Sequence, residues 1–192
     1  MPRKLDNSRR EELLDGAMGI IAARGFSDVQ VADIARELHC SASTLYKIAS
    51  SKEGLVLLAL RRWAEVTFEN LDARAEQGAT ASDRARNYFR VGAESLRPIS
   101  LAFVADAQRF ESTRVAWKAD VADRFVMGFI ELIERAEDAR EVRPVNTRFL
   151  AELLNHIGFI TRDERVLRVS GLTREEAFIE VEGIIWDGIR MP

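Results

Sequence analysis

Apolar residues recur along most of this chain at intervals of three and four, the pattern of helices that bury one face. Leu14, Ala17, Met18 and Ile21 stand at i, i+3, i+4 and i+7. Ser8-Arg9-Arg10-Glu11 ahead of them has the S-x-x-E form of a capping box, and Gly25 behind them suits the left-handed backbone that closes a helix. A first helix is therefore expected near 9–24. Val31, Ile34, Ala35 and Leu38 repeat the spacing over a short second helix, 30–38. Ser41 is a good N-cap for a third, 42–48, with Leu45 and Ile48 turned inward. Ser50-Ser51-Lys52-Glu53 offers a cap for a longer helix that runs to about residue 76, where Gln77-Gly78 breaks it.

Beyond that point Ser82 can cap a helix at 83–96, ended before Pro98. Another spans 100–110. Ser112 or Thr113 starts a long one to about residue 140, and Arg143-Pro144 is a break. Asn146 caps 147–162, the stretch from Asp163 to Gly171 reads as a loop, and Thr173-Arg174-Glu175-Glu176 is a T-x-x-E cap for a last helix, 174–190. The pattern predicts an all-α fold of about nine helices, without strands, internal repeats or low-complexity runs.

Composition narrows the class. Apolar residues are 47% of 192, enough for a substantial core, and charged residues are 31% with both signs mixed. The single cysteine, Cys40, excludes an intrachain disulfide and suits a reducing compartment. The start of the chain, MPRKLDNSRREELL, is polar and lacks the apolar core of a signal segment. No apolar run approaches the roughly 18 residues of a membrane span. A cytoplasmic protein is expected. The net charge of −3 argues weakly against nucleic acid, but residues 1–62 carry ten Lys/Arg against eight Asp/Glu, while the remainder carries eighteen against twenty-three. The positive end holds the pattern that follows.

Three short helices and a long one within about 75 residues is unusual organisation for a plain bundle. VADIAREL and ASTLYKI, joined by His39-Cys40-Ser41, have the form of a helix-turn-helix, whose second member enters the major groove of DNA. The segment from Leu14 to Leu55 resembles the DNA-binding domain of TetR/AcrR-type transcriptional regulators. The matching residues are Ala17, Gly25, Phe26, Val31, Ile34, Ala35, Ser41, Thr44, Leu45, Tyr46, Ser51, Lys52, Glu53 and Leu55. The most specific part is S-x-x-T-L-Y followed by S-K-E-x-L. The resemblance implies a DNA-binding domain over 1–55 and a helical effector-binding and dimerisation domain over 56–192.

The residue chemistry fits DNA independently. Ala42, Ser43 and Thr44 are small enough for a recognition helix to approach a groove, and Thr44 can donate to a phosphate or touch a thymine methyl. Tyr46 offers a phenol, Lys47 a further cation, and Lys52, in the first turn of the next helix, is the best phosphate clamp. Gln30, by the resemblance, lies near the DNA backbone. Three departures from the family stand out: His39 where glycine is usual in the turn, Gln30 where threonine usually caps, and Lys47-Ile48-Ala49 after the Leu-Tyr pair. His39 is expected at positive φ, a strain of roughly 1 kcal/mol.

The region 60–140 is rich in aromatics, which by themselves are usually core. By the resemblance, some line an effector pocket, and Trp63, Phe89, Phe103, Phe110, Trp117 and Phe125 are the candidates. Leu153, Leu154 and Ile157 in the eighth helix, with Val181, Ile184, Ile185 and Gly188 in the ninth, are expected at the interface of a symmetric homodimer. No nucleophile–base set is apparent, so no enzyme is expected. His39 and His156 lie far apart without ligand partners, so neither metal nor cofactor is expected, and Cys40 reads as a small apolar residue. The implied function is a ligand-responsive regulator, a repressor released from a palindromic double-stranded DNA operator by a small-molecule effector. The alternative is a DNA-binding dimer regulated by a protein partner or without effector.

Overall fold

The computed structural model describes residues 6–161 and 163–189, and every element among them is helical. The helices are α1 (Asn7–Arg24), α2 (Val31–Glu37), α3 (Ala42–Ile48), α4 (Lys52–Glu76), α5 (Ala81–Ser95) and α6 (Leu101–Arg109). There follow α7 (Glu111–Trp117), α8 (Arg124–Asp138), α9 (Thr147–Ile160), α10 (Glu164–Ser170) and α11 (Arg174–Ile189). A π-helical segment, Lys118–Asp123, carries α7 into α8, so the long seventh helix expected from sequence is continuous but interrupted in its hydrogen-bond register.

Several expected caps are in place. Ser41 Oγ accepts the Thr44 N–H at 3.2 Å, and Asn146 Oδ1 accepts the Phe149 N–H at 3.0 Å. Thr173 and Glu176 form the reciprocal box, at 2.8 and 3.2 Å. Others shift. Asp6, not Ser8, caps α1, and Ser51, not Ser50, accepts the Gly54 N–H at 3.0 Å. Thr80, not Ser82, caps α5 through the Asp83 N–H at 3.0 Å. The expected loop from Asp163 to Gly171 contains α10, capped by Asp163 and closed by Gly171 at φ 71°. Arg190, the expected end of the last helix, and the first five residues lie outside the described residues.

The chain divides into two compact units. One comprises the chain up to Val66 together with Pro98–Lys118; the other comprises Thr67–Arg97 and the chain from Ala119 onward. In the first, Leu13, Leu14, Ala17, Met18 and Ile21 form the buried stripe of α1. Val31, Ile34, Leu45, Leu55 and Leu60 are buried with them. The α6 helix belongs to this unit although it lies far along the chain. Its preceding Ser100 N–H donates to the Ala22 carbonyl at 2.8 Å, satisfying one of the carbonyls left open at the end of α1.

In the second unit α5 packs on α8 and on α11. The α5–α8 crossing is close because two glycines face aromatic rings: Phe125 of α8 sits against Gly92 of α5, and Tyr88 of α5 sits against Gly128 of α8. A β-carbon at either glycine would overlap the ring. Phe89 lies at the centre, edge-on to Phe129 at 5.1 Å and to Phe125 at 5.5 Å. Glu182 of α11 is buried and accepts Arg86 Nε of α5 at 2.8 Å, while the Arg86 guanidinium lies over the Trp186 ring at 5.1 Å.

Candidate nucleic-acid interface

The site is built by α2, α3 and the start of α4. Val31, Ile34 and Ala35 bury one side of α2. The Gln30 N–H that precedes it donates to Asp33 Oδ2 at 3.3 Å, so the acidic residue of the first turn takes an amide that a helix leaves unsatisfied. The turn then reverses at His39, whose φ is 51°, as its place in a turn that usually carries glycine predicts. Cys40 follows and is half-buried; burial pushes its thiol up and the nearby Arg9 charge pulls it back, leaving it above the ordinary value. A thiol so placed is a poor nucleophile.

The α3 helix has seven residues and buries only Leu45 completely. A helix so short is not stable alone. It persists because Ser41 caps it and Leu45 anchors it against its neighbours. The remaining positions are displayed: Ser43, Tyr46 and Lys47 are exposed, with Tyr46 at 51%, while Ala42 and Thr44 are half-buried. Ser41 Oγ also lies 2.8 Å from both Ser43 Oγ and Thr44 Oγ1, so three hydroxyls gather at the N-terminal end of the helix. Gln30 is exposed ahead of α2. Lys52 opens α4, half-buried, with its ammonium donating to the Ser27 carbonyl at 2.8 Å. That contact, and the Asp106 carboxylate that holds Ser27 from the other side, carried no signal in the sequence: Asp106 lies 79 positions from Ser27.

The other expected residues fall as follows. Trp63, Phe103, Phe110 and Trp117 belong to the first unit. The Trp63 and Trp117 rings stack at 5.7 Å and 16°, Phe103 lies 5.7 Å from Trp117, and Phe26 joins Phe103 to Phe110. Phe89 and Phe125 belong to the second unit with Tyr88, whose phenol is pushed up by burial and by the Asp72 carboxylate, against the pull of Arg124. On α9 and α11, Leu154 and Ile185 are buried, Ile157 and Val181 are half-buried, and Leu153, Ile184 and Gly188 are exposed. Among the described residues of these two helices Phe149 at 68% and Ile184 at 73% are the largest apolar exposures; Phe149 shares the heptad-like spacing with Leu153 and Ile160 but opens α9 beside its cap. Among the described residues no group of three His, Cys, Asp or Glu side chains is placed to hold a metal, and no helix is long and apolar enough to cross a membrane.

Described residues whose elements are all helical, with a displayed short helix set by a tight turn, define a helix-turn-helix arrangement. Residues 13–59 match the family model of bacterial regulatory proteins of the tetR family. Curated relatives include the HTH-type transcriptional regulator BetI of Brucella canis, 33% identical over 85 residues, 44% of this chain and 43% of that one. BetI of Brucella anthropi is 30% identical over 112 residues, 55% of this chain and 58% of that one. The chain thus spans about half the length of the curated relatives it matches. Among solved structures, a transcriptional regulator of Saccharomonospora viridis in complex with choline aligns over 97% of this chain and 100% of its own, with TM-score 0.75 and 20% identity. The ketosteroid transcriptional regulator KstR2 of Mycobacterium tuberculosis aligns over 98% of each, with TM-score 0.64 and 22% identity. At these identities the structures support the fold.

Proposed function

We propose that this protein is a ligand-responsive transcriptional regulator that binds double-stranded DNA as a symmetric homodimer and acts as a repressor. The observation that carries the reading is the α3 surface: a helix that buries one side chain and turns Ser43, Tyr46 and Lys47 outward is built to touch something outside the protomer. Small hydroxyl residues at its N-terminal end permit close approach to base edges, and Tyr46, Lys47 and Lys52 supply phosphate partners. Gln30 and Ala42 complete the proposed contact set.

The exposed apolar side chains Phe149, Leu153 and Ile160 of α9 and Ile184 of α11 support dimerisation, because isolated monomers seldom leave so many large apolar side chains in water. Two recognition helices in a twofold dimer read half-sites spaced by whole turns of DNA. The aromatic sets, Trp63 with Phe103, Phe110 and Trp117 in one unit and Phe89 with Phe125 in the other, are the proposed effector linings. The half-buried Trp63 indole is a ring of the kind that attracts organic cations, and one solved neighbour is a complex with choline, so choline is the first compound to test.

The experiment is selection of duplexes from a random pool by the full chain, followed by gel shift with and without choline and a panel of small organic ligands. Enrichment of a near-palindromic sequence, bound by wild type and lost in Tyr46→Ala and Lys47→Ala, supports DNA binding. Failure to enrich any sequence overturns it. Release of the selected duplex by a ligand supports the effector reading, and a regulator indifferent to every compound and assisted by a protein would replace it.

A further inference from the structure

We propose that Asp106, on α6, is a positioning residue for the DNA contact made by Lys52, acting through Ser27; the proposal rests on the DNA-binding reading above. Three donors converge on its carboxylate. The Phe26 N–H donates to Oδ2 at 2.5 Å and the Ser27 N–H to the same oxygen at 2.8 Å. The Ser27 hydroxyl donates to Oδ1. One carboxylate thus takes both donors of Ser27 and the amide before it.

The remaining polar group of Ser27 is its carbonyl, and it accepts the Lys52 ammonium at 2.8 Å. The chain of contacts runs from a carboxylate, through one residue, to a cation at the start of α4. Bonds in such a series polarise one another, and the site is part-buried, so they are stronger than in water. An ammonium has three donors, and the Ser27 carbonyl occupies one, leaving the others for a phosphate. A lysine on four rotatable bonds is normally spread over many rotamers. Here one bond selects among them before DNA arrives.

The loop from Gly25 to Gln30 lies between α1 and α2 and lacks a helix of its own to hold it. What fixes it is α6. The Ser100 N–H reaches the Ala22 carbonyl at one end of that helix, and Asp106 reaches Phe26 and Ser27 near the other. The Phe26 ring is held by Phe103 at 5.8 Å and Phe110 at 5.4 Å. Residues far from the helix-turn-helix in sequence therefore determine where Ser27 points its carbonyl, and so where Lys52 stands.

The test measures how the affinity of a wild-type-selected duplex depends on salt. Each phosphate neutralised contributes a slope of about 0.9 in log K against log salt. Lys52→Ala should lower the slope by about that amount for each docked subunit. Asp106→Ala should lower affinity at least tenfold and lower the slope in the same sense, with thermal unfolding still cooperative. Asp106→Asn should restore most of the slope, since its amide oxygen can accept the two N–H groups while its NH2 faces the Ser27 oxygen. The double variant Asp106→Ala/Lys52→Ala should fall no further than Lys52→Ala alone. Should Asp106→Ala not fold, Ser27→Ala deletes only the hydroxyl, and its slope must move in the same direction. An unchanged slope in a folded Asp106 or Ser27 variant, or additive losses in the double variant, would overturn the proposal while leaving DNA binding intact. If wild type selects no duplex, the DNA-binding reading itself falls, and the positioning role with it.

Discussion

Gly25 and Asp106 meet so closely that a β-carbon on the glycine would lie 2.6 Å from Asp106 Oδ2 and 3.2 Å from the Ala102 backbone. The glycine also sits at φ 77° and ψ −177°, a region closed to residues with side chains. Both facts have one origin. The chain must leave α1 sharply and let α6 approach within contact of the bend, and only a residue without a side chain permits both. Gly25→Ala should therefore lose about 3 kcal/mol or more, from backbone strain and from displacement of α6. Urea unfolding of wild type and variant checks the figure; a loss below about 1 kcal/mol would mean that α6 yields easily.

How far the sequence reveals this architecture depends on whether the deciding interaction is local. Ser41, Asn146 and the Thr173–Glu176 pair cap their helices through residues three positions apart, and each was legible. So was the bend at Gly25. The α5 cap was not, because Glu141 accepts the N–H groups of Ala81 at 3.3 Å and Ser82 at 2.7 Å, which lets the helix begin one residue before the serine. That carboxylate is 59 positions away. The α10 helix buries Leu167 alone and so has no apolar period to betray it. At the candidate site the displayed residues of α3 follow from the turn and the spacing. The Asp106–Ser27–Lys52 series does not, since an aspartate on an amphipathic helix looks like any solvated charge until the loop is folded against it.

His39 holds φ at 51°, where a β-carbon crowds the backbone. The side chain is exposed, so little packing offsets the strain. His39→Gly should raise stability by about 0.5–1 kcal/mol, the relief of strain exceeding the added freedom of the unfolded chain. A higher urea midpoint with unchanged slope is the expected result. A lower midpoint would show that the imidazole makes a contact worth more than the strain.

Ile184 is exposed on α11 and Phe149 on α9. Replacing either with aspartate removes little buried area within the protomer, so the fold should lose less than about 0.5 kcal/mol. If these side chains meet a second copy, a buried unpaired carboxylate would appear at the interface instead, and association should fail. Sedimentation should then show a dimer for wild type and monomers for Ile184→Asp and Phe149→Asp, each with wild-type circular dichroism. A monomeric wild type at micromolar concentration would remove the dimer from the proposed function.

Glu182 has a side chain only 5% exposed, and its partners are Arg86 at 2.8 Å and Arg90 at 3.6 Å. Removing Arg86 strands a carboxylate that cannot return to water without moving α11. Breaking a fully buried pair costs roughly 3–5 kcal/mol, and because Arg86 is 37% exposed and Arg90 can shift toward the vacancy, Arg86→Met should cost about 2 kcal/mol. Glu182→Gln, which removes the charge but keeps the shape, should cost less. Should Arg86→Met prove as stable as wild type, the pair serves no structural purpose.

Asp106 also predicts how the first unit responds to acid. Burial alone would push its carboxyl up, but the Ser27 hydroxyl, the amides of Ser27 and Phe26 and the Arg109 charge together hold it below the usual carboxylate range. In the unfolded chain an aspartate titrates near about 3.9. The folded state therefore binds its proton less readily than the unfolded state, and stability must rise with pH across the interval between the two values. The contribution is complete above about pH 5, shrinks as pH falls through 4, and disappears once the folded value is passed. Asp106→Asn has no proton to gain there. Urea unfolding of both proteins from about pH 3 to 7 should show wild type ahead by a constant margin near neutrality, with the margin closing below pH 4. A margin independent of pH would mean that the asparagine variant differs through shape alone, and that the charge on Asp106 does not strengthen its hold on the Phe26–Ser27 loop.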